Sequence, residues 1–406
     1  MSAGAVITGI GVLAPSGTGV KEFWDTTLTG KNMIGPVTRF DASAHPTRLA
    51  GEIHGFDPAE HLPVRLVRQT DRMTQLALVA ADQALADSGV RLDTVPAHQR
   101  GVVTAVASGG SEFAQNELRK MGGGAGGGHV SAYASFAWFP AVNSGQISVR
   151  NDLRGPAGAL AGDHAAGLDA LGQAGRRIRG GARLIVAGGV DAPVCSWAWA
   201  AHLSTGLLST GLDPGRAYLP FDAAARGHVL GEGGALMIVE DEAAARARGA
   251  HTLYGRIAGH ASTLDPRPGS AREPGLRRAA ALALADAGCR PADVDVVFAD
   301  AAGTPRADRE EAEAITRLFG PRGVPVTAPK AAIGRLSSGG APVDVVTALL
   351  AMRDGRIPAT PQVEPALTHG LDLVTGRSRT TPVRTALVLA RGHGGFNAAL
   401  VLRAVD

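Results

Sequence analysis

Four short stretches of this 406-residue chain hold residue types that could do chemistry. The first is AGDHAAGLDALGQAG at 161–175. An apolar run ends at Ala161, turns through Gly162 and Asp163, and gives way to a helical pattern from His164. Residue 164 would then sit at a helix N-terminus, where the first N–H groups lack intrahelical partners and the dipole favours an anion or a thiolate. A nucleophilic enzyme would carry Cys or Ser there, and this chain offers His164 beside Asp163. Positive charge is disfavoured at such a place, so His164 is expected to be neutral. It reads first as a packed, hydrogen-bonded imidazole, and after that as a general base or a metal ligand. Asp163 reads as a helix cap before it reads as a catalytic acid.

The second stretch ends the apolar run VDVVFAD at Asp300. Sites gather at the carboxyl ends of α/β strands. The loop beyond carries Arg306, Asp308, Arg309, Glu310 and Glu311 without metal spacing, so ion pairing is the expected role of Asp300. The third is Lys330, at the end of VPVTAPK, a candidate partner for a buried carboxylate. The fourth is RGHGGFNAAL at 391–400, where glycines flank His393 in a tight loop between two apolar runs. Such a loop can aim N–H groups at an oxyanion, or serve geometry alone. The twelve histidines form neither HExxH nor a Cys/His cluster. GGGAGGG at 122–128 lacks the Lys-Ser/Thr of a phosphate loop and is expected to be a mobile surface loop.

These residues need a scaffold, and the hydrophobic pattern supplies one. Short apolar runs at 6–10, 101–106, 158–161, 182–187 and 235–239 read as strands. A similar series follows at 254–258, 294–298, 324–328, 384–390 and 398–403. Helical patterns lie between them at 20–28, 73–86, 111–121, 164–178, 278–286, 309–318 and 339–352. Buried strands alternating with helices predict α/β layers. The series restarts after EAAARARGA at 242–250, so two similar halves, 1–250 and 251–406, are expected.

Composition narrows the classes. Apolar residues make up 45% of the chain and charged residues 19%, which supports a large core and excludes a disordered polyelectrolyte. The two cysteines, Cys195 and Cys289, exclude a disulfide scaffold and are expected to be free thiols, Cys195 buried. Forty basic residues against 37 acidic ones give +3 with no basic block, and Arg176 and Arg177 read as solvated surface charges. Nucleic-acid binding is not expected. The N-terminus lacks a basic signal region, and no apolar run nears the roughly 18 residues of a membrane helix. A soluble cytoplasmic protein with no membrane role is the expectation.

At this point the motifs coincide with a family. VITGIGVLAPSG (6–17), RFDAS (39–43), DRMTQLALVAADQAL (71–85), SAYASFAWFPAVNSGQIS (131–148), GLDALGQA (167–174), PFDAAARGHVLGEGGA (220–235) and GHGGFNAALVL (392–402) resemble a β-ketoacyl synthase of the thiolase fold. More narrowly, the chain resembles the chain length factor, or ketosynthase-β, of bacterial type II polyketide synthases, over essentially its whole length. The resemblance implies an αβαβα layered fold. In active members the position of His164 is a cysteine that takes the acyl chain from acyl carrier protein. Those of Asp300 and Arg335 are histidines that support malonyl decarboxylation and stabilise the carbanion and oxyanion. A neutral imidazole is no substitute for the thiolate. Asp300 would place negative charge where negative charge develops. By this resemblance no catalytic residue survives, and no cofactor or metal is held; phosphopantetheine is carried by the acyl carrier protein. Lys330 and Glu311 fall on the family's structural lysine and glutamate, and His393 replaces its usual gating phenylalanine, ahead of Phe396. Many chain length factors read AEQAGG-like at the elbow where this chain reads AGDHAAG, which leaves aromatic and reduced polyene pathways both open.

The resemblance also implies a mechanism. A ketosynthase-α partner condenses malonyl units, and the growing chain extends into a tunnel at the heterodimer interface whose length limits the product. Ser111, Ala114 and Leu118 correspond to the gate positions of that tunnel and share one helix face. Two of them are small, which predicts a tunnel not closed early; ordinary helix packing is the other reading of this face. Phe136, Trp138 and Phe139 read as interface or core. Carrier-protein docking is expected mainly through the partner. The competing functions are a self-sufficient acyl-thioester hydrolase or atypical acyltransferase using His164 and Asp163, and a structural homologue without a tunnel.

Overall fold

The computed structural model describes residues 4–122, 129–267 and 269–405. All but Gly122 of the glycine run at 122–128, expected as a surface loop, lies outside the described residues. A 12-stranded sheet organises the chain. Its principal strands are β1 (Ala5–Ala14), β2 (Arg100–Val106), β3 (Ala157–Ala161), β4 (Leu184–Asp191), β5 (Gly233–Asp241), β6 (Gly255–Leu264), β7 (Val296–Phe298), β8 (Pro325–Thr327), β9 (Thr385–Arg391) and β10 (Phe396–Arg403). Two-residue strands at Gly17–Thr18 and Asp372–Leu373 complete it.

The order is β3-β2-β4-β5-β1 in one half and β8-β7-β9-β10-β6 in the other. Directions repeat as well. β2 runs parallel to β3 and β4, and β5 is antiparallel to β4 and β1. β7 runs parallel to β8 and β9, and β10 is antiparallel to β9 and β6. The halves join where β1 pairs antiparallel with β6 at Val6 and Arg256. A repeat scarcely visible in the sequence is therefore plain in the topology, and the expected α/β architecture of two similar halves is the one formed.

Helices α1 (Arg72–Ser88), α2 (Ser111–Gly122), α3 (Ala166–Arg179), α4 (Ser196–Leu203), α5 (Leu276–Asp286), α6 (Pro305–Phe319) and α7 (Gly340–Asp354) surround the sheet. α1 packs on β1 and β5, and α5 packs on β6 and β10. Each approach is tight enough to exclude a side chain below it. A Cβ at Gly9 would fall 2.2 Å from the Ala84 carbonyl, and one at Gly259 2.2 Å from that of Ala283. Register shifts lie beside both glycines, between Ile7 and Gly9 and between Ile257 and Gly259. α3 and α7 form the middle layer. α7 is buried from Gly340 through Ala351, as a helix apolar on all sides requires.

Some boundaries differ from the sequence reading. The strand expected over 182–187 runs to Asp191, and the one expected over 254–258 continues through the mixed segment HASTL to Leu264. The helix expected from His164 starts at Ala166, because a 3₁₀ turn over Asp163–Ala165 precedes it. Helices at Val142–Arg150 and Ser196–Leu203 escaped the pattern, the second because SWAWAAHL is too short and too apolar to show a face. No helix of the described residues is long and apolar enough to cross a membrane. Cys195 and Cys289 are free and buried.

Candidate functional site

Two strand ends, the turn before α7 and one loop converge on a cleft of about 470 Å³, whose lining includes His164, Asp300, Arg335 and His393. β3 ends at Ala161 and turns into α3 through Asp163 and His164. β7 ends just before Asp300, and Arg335 precedes the turn that opens α7. The Gly392–Gly395 loop joins β9 to β10. Three non-glycine residues here have positive φ: Asp163 at 54°, Ala301 at 55° and Ser337 at 49°. Such backbone costs roughly 1–3 kcal/mol per residue and persists only where the surroundings hold it.

Arg335 ties the cleft floor together. Its Nη2 donates to Asp300 Oδ1 at 2.9 Å and its Nη1 to Oδ2 at 3.2 Å, while Nη1 also reaches the Asp300 carbonyl at 2.8 Å. Both residues are almost fully buried. Burial alone would raise the Asp300 carboxyl, but Arg335, with Lys330 behind it, outweighs burial and holds the group well below the usual carboxylate range. The remaining Arg335 donor, Nε, points to His164 Nε2 at 3.3 Å. On the other side of the ring, His164 Nδ1 lies 3.0 Å from the Ser337 carbonyl, which can only accept. The proton therefore sits on Nδ1 and the lone pair on Nε2 faces Arg335. Burial first, and the Arg335 charge second, lower the imidazole to about 4, so His164 is neutral at physiological pH.

Asp163 does not cap the helix. Gly162 is the capping position and no side-chain cap bond forms there. The positive φ turns the Asp163 carboxylate instead toward the glycine loop, where Oδ2 accepts the His393 N–H at 2.8 Å. Its Oδ1 stands 3.8 Å from His164 Nε2, beyond a hydrogen bond. A His164–Asp163 acid–base dyad is thus not assembled, and neither ring nitrogen of His164 is free to act as a base.

Glu311 accepts the N–H groups of Asp300 and Ala301 at 2.7 and 2.8 Å. Burial, and then the Asp300 charge, push it up to about 7. Lys330 forms an ion pair with Asp344, which burial raises to about 6. His228, Arg391 and Tyr218 also belong to this region and were not singled out from sequence, although His228 lies inside the quoted PFDAAARGHVLGEGGA segment. His228 meets the His164 ring edge-on with centroids 6.3 Å apart, and burial keeps it neutral. Arg391 pairs with Glu310 at 2.8 Å. The Tyr218 hydroxyl donates to the Ala301 carbonyl at 2.6 Å.

Ser111, Ala114 and Leu118 lie on α2, outside this cleft lining. The helix starts three residues after Ser108, which does line it. Ser111 and Ala114 are half-buried and Leu118 is 53% exposed. α2 rests against α4 and the short helix Ala134–Ala137. Of the aromatic run, Phe136 packs on the core, while Trp138 and Phe139 stand 50% and 52% exposed. Phe396 is exposed at the start of β10, and the His393 side chain is exposed as well. Among the described residues no group of His, Cys, Asp and Glu is arranged to hold a metal.

The β-ketoacyl synthase N-terminal domain matches residues 4–245, and the C-terminal domain matches 254–364. The tetracenomycin polyketide synthase ketoacyl synthase beta subunit of Streptomyces glaucescens is 53% identical over 98% of both chains. The ishigamide ketosynthase/chain length factor superposes with a TM-score of 0.90 at 26% identity, over 100% of both chains. A type II polyketide synthase acyl-carrier protein in complex with its hexaketide-bound ketosynthase gives 0.88 at 25%, again over 100% of both. The chain belongs to the β-ketoacyl synthase family, closely related to the ketosynthase-β, or chain length factor, subunits of type II polyketide synthases.

Proposed function

We propose that this chain is the chain length factor of a type II polyketide synthase, a non-condensing subunit that pairs with a ketosynthase-α and shapes the tunnel into which the polyketide grows. One observation carries the reading. The position that must hold a nucleophile holds His164, neutral and hydrogen-bonded at both nitrogens, and the two positions beside it form an Asp300–Arg335 ion pair. A condensing site needs a thiolate and donors aimed at developing negative charge. Here the nucleophile is missing, and the nearest cation, Arg335, is committed to the Asp300 carboxylate.

Surface features support the partnership. β3 forms one edge of the sheet, and Ala157, Ala159 and Ala161 along it are exposed. An uncovered edge with small apolar side chains is a template for another chain. Val149, Leu118, Trp138, Phe139 and Trp197 add large exposed apolar groups, an amount of open hydrophobic surface that suits a subunit interface. The small Ser111 and Ala114 would leave the tunnel long, with Leu118 beyond them. Malonyl units reach the assembly on the phosphopantetheine of an acyl carrier protein, docked mainly on the partner, in the cytoplasm. A boundary near residue 250 divides the chain into its two halves. Reconstitution with ketosynthase-α and carrier protein tests the proposal. Products whose length changes with substitutions in this chain support it, and products indifferent to this subunit contradict it.

A further inference from the structure

The cleft survives in this chain without its chemistry, and its charges are arranged in a particular way. Both arginines of its described lining already have an internal anion. Arg335 is held by Asp300, and Arg391 by Glu310. His164 is neutral, with both nitrogens engaged. The His393 N–H, the donor that the glycine loop turns toward the elbow, is taken by Asp163 at 2.8 Å. The Asp163 backbone sits at φ 54° in making that contact. Asp265 adds a further carboxylate to the same lining. Among the described residues an incoming carboxylate would find both arginines of the lining committed, and it would meet the fixed negative charge of Asp163 and Asp265.

We propose that Asp163 is the specificity residue that denies this cleft to carboxylates, its own carboxylate taking the His393 N–H that an incoming carboxylate would otherwise be offered. Discrimination by a built-in repulsive group is a general route to specificity. The inference rests on the reading of this chain as a non-condensing subunit and deepens it. A dead cleft that bound malonyl units would compete with the partner's site, and Asp163 removes that competition.

The test is calorimetric titration of sodium malonate into the full chain, wild type and Asp163→Gly, with malonamide as the neutral control. Glycine suits the positive φ at this position, so the backbone is not strained by the change. The Gly variant should bind malonate at least about tenfold more tightly than wild type, with malonamide unchanged. Equal malonate affinity in the two proteins overturns the proposal, and so does an equal gain for malonamide, which would mean only that space was opened. If the glycine variant does not fold, Asp163→Asn, which keeps the contact to His393 and loses the charge, is read by the same comparison. Malonate affinity is measured on this chain alone, so a negative result leaves the chain-length assignment, read from product size, standing.

Discussion

Arg335 grips Asp300 with two nitrogens, Nη2 to Oδ1 at 2.9 Å and Nη1 to Oδ2 at 3.2 Å, and both side chains are shut away from water. Two positions that the family resemblance assigns to a pair of histidines have thus become one ion pair. A buried pair survives only as a pair, since removing one partner leaves the other charge desolvated and uncompensated. Restoring the histidine at 335 alone should therefore be worse than restoring both. Arg335→His is expected to lose about 3–5 kcal/mol of unfolding free energy. The Asp300→His/Arg335→His double variant should recover more than half of that loss. Denaturant unfolding of the three proteins measures it, and a double variant no better than the single one contradicts the pairing.

The neutral His164 gives the stability curve a sign. Its folded value is lowered to about 4, while an unfolded histidine titrates near ~6.5. Between those values the unfolded chain binds the extra proton, so this group's contribution is full at neutral pH and is lost as pH falls from about 6.5 toward 4. Glu311 and Asp191, both raised to about 7 by burial, act in the opposite direction, so the whole-protein curve does not isolate His164. A difference against His164→Gln does. At pH 7.5 the two proteins should be close, and at pH 5 the wild type should fall behind the variant by about 2 kcal/mol. A gap that does not change with pH would show that the imidazole is not held neutral.

The gate face of α2 makes a prediction about products. Ala114 is half-buried on the face shared with Ser111 and Leu118. If this face lines the proposed tunnel, Ala114→Trp fills space that the growing chain would use. Reconstituted with ketosynthase-α and carrier protein, the variant should release products shorter by one or more extension units, read by mass spectrometry. An unchanged product length would return this face to ordinary helix packing.

Trp138 predicts where the partner sits. It is half exposed and meets Phe139 edge-on, with ring centroids 6.5 Å apart. Trp138→Asp should weaken heterodimer formation by about thirtyfold or more, as loss of a buried aromatic anchor does. The thermal stability of the chain itself should stay within about 0.5 kcal/mol, as for a surface change. Analytical ultracentrifugation with the partner separates the two effects. A variant that assembles normally would place the interface elsewhere.

How much was legible in the sequence differs from element to element. The strands with continuous apolar runs, such as Arg100–Val106 and Thr385–Arg391, were visible because both faces are buried and the pattern has no gaps. The far end of Gly255–Leu264 was not, because its side chains are mixed where it leaves the core. The elbow at 161–164 was readable from its glycine and its position between strand and helix. The use of Asp163 was not, because a short acidic residue before a helix ordinarily reads as a cap, and only the positive φ turns it to the loop. Asp300 showed itself at a strand end as half of an ion pair. Its partner lies 35 positions along the chain, and pairing over such a separation is set by the sheet order rather than by local pattern.

The central claim is that this subunit supplies shape and no nucleophile. It is tested most directly by the intact mass of each subunit after the heterodimer is incubated with acyl carrier protein charged with the starter unit. The account predicts an acyl adduct on the ketosynthase-α partner and an unmodified mass for this chain. A covalent acyl group on this chain, with elongation continuing when the partner's nucleophile is removed, would contradict it.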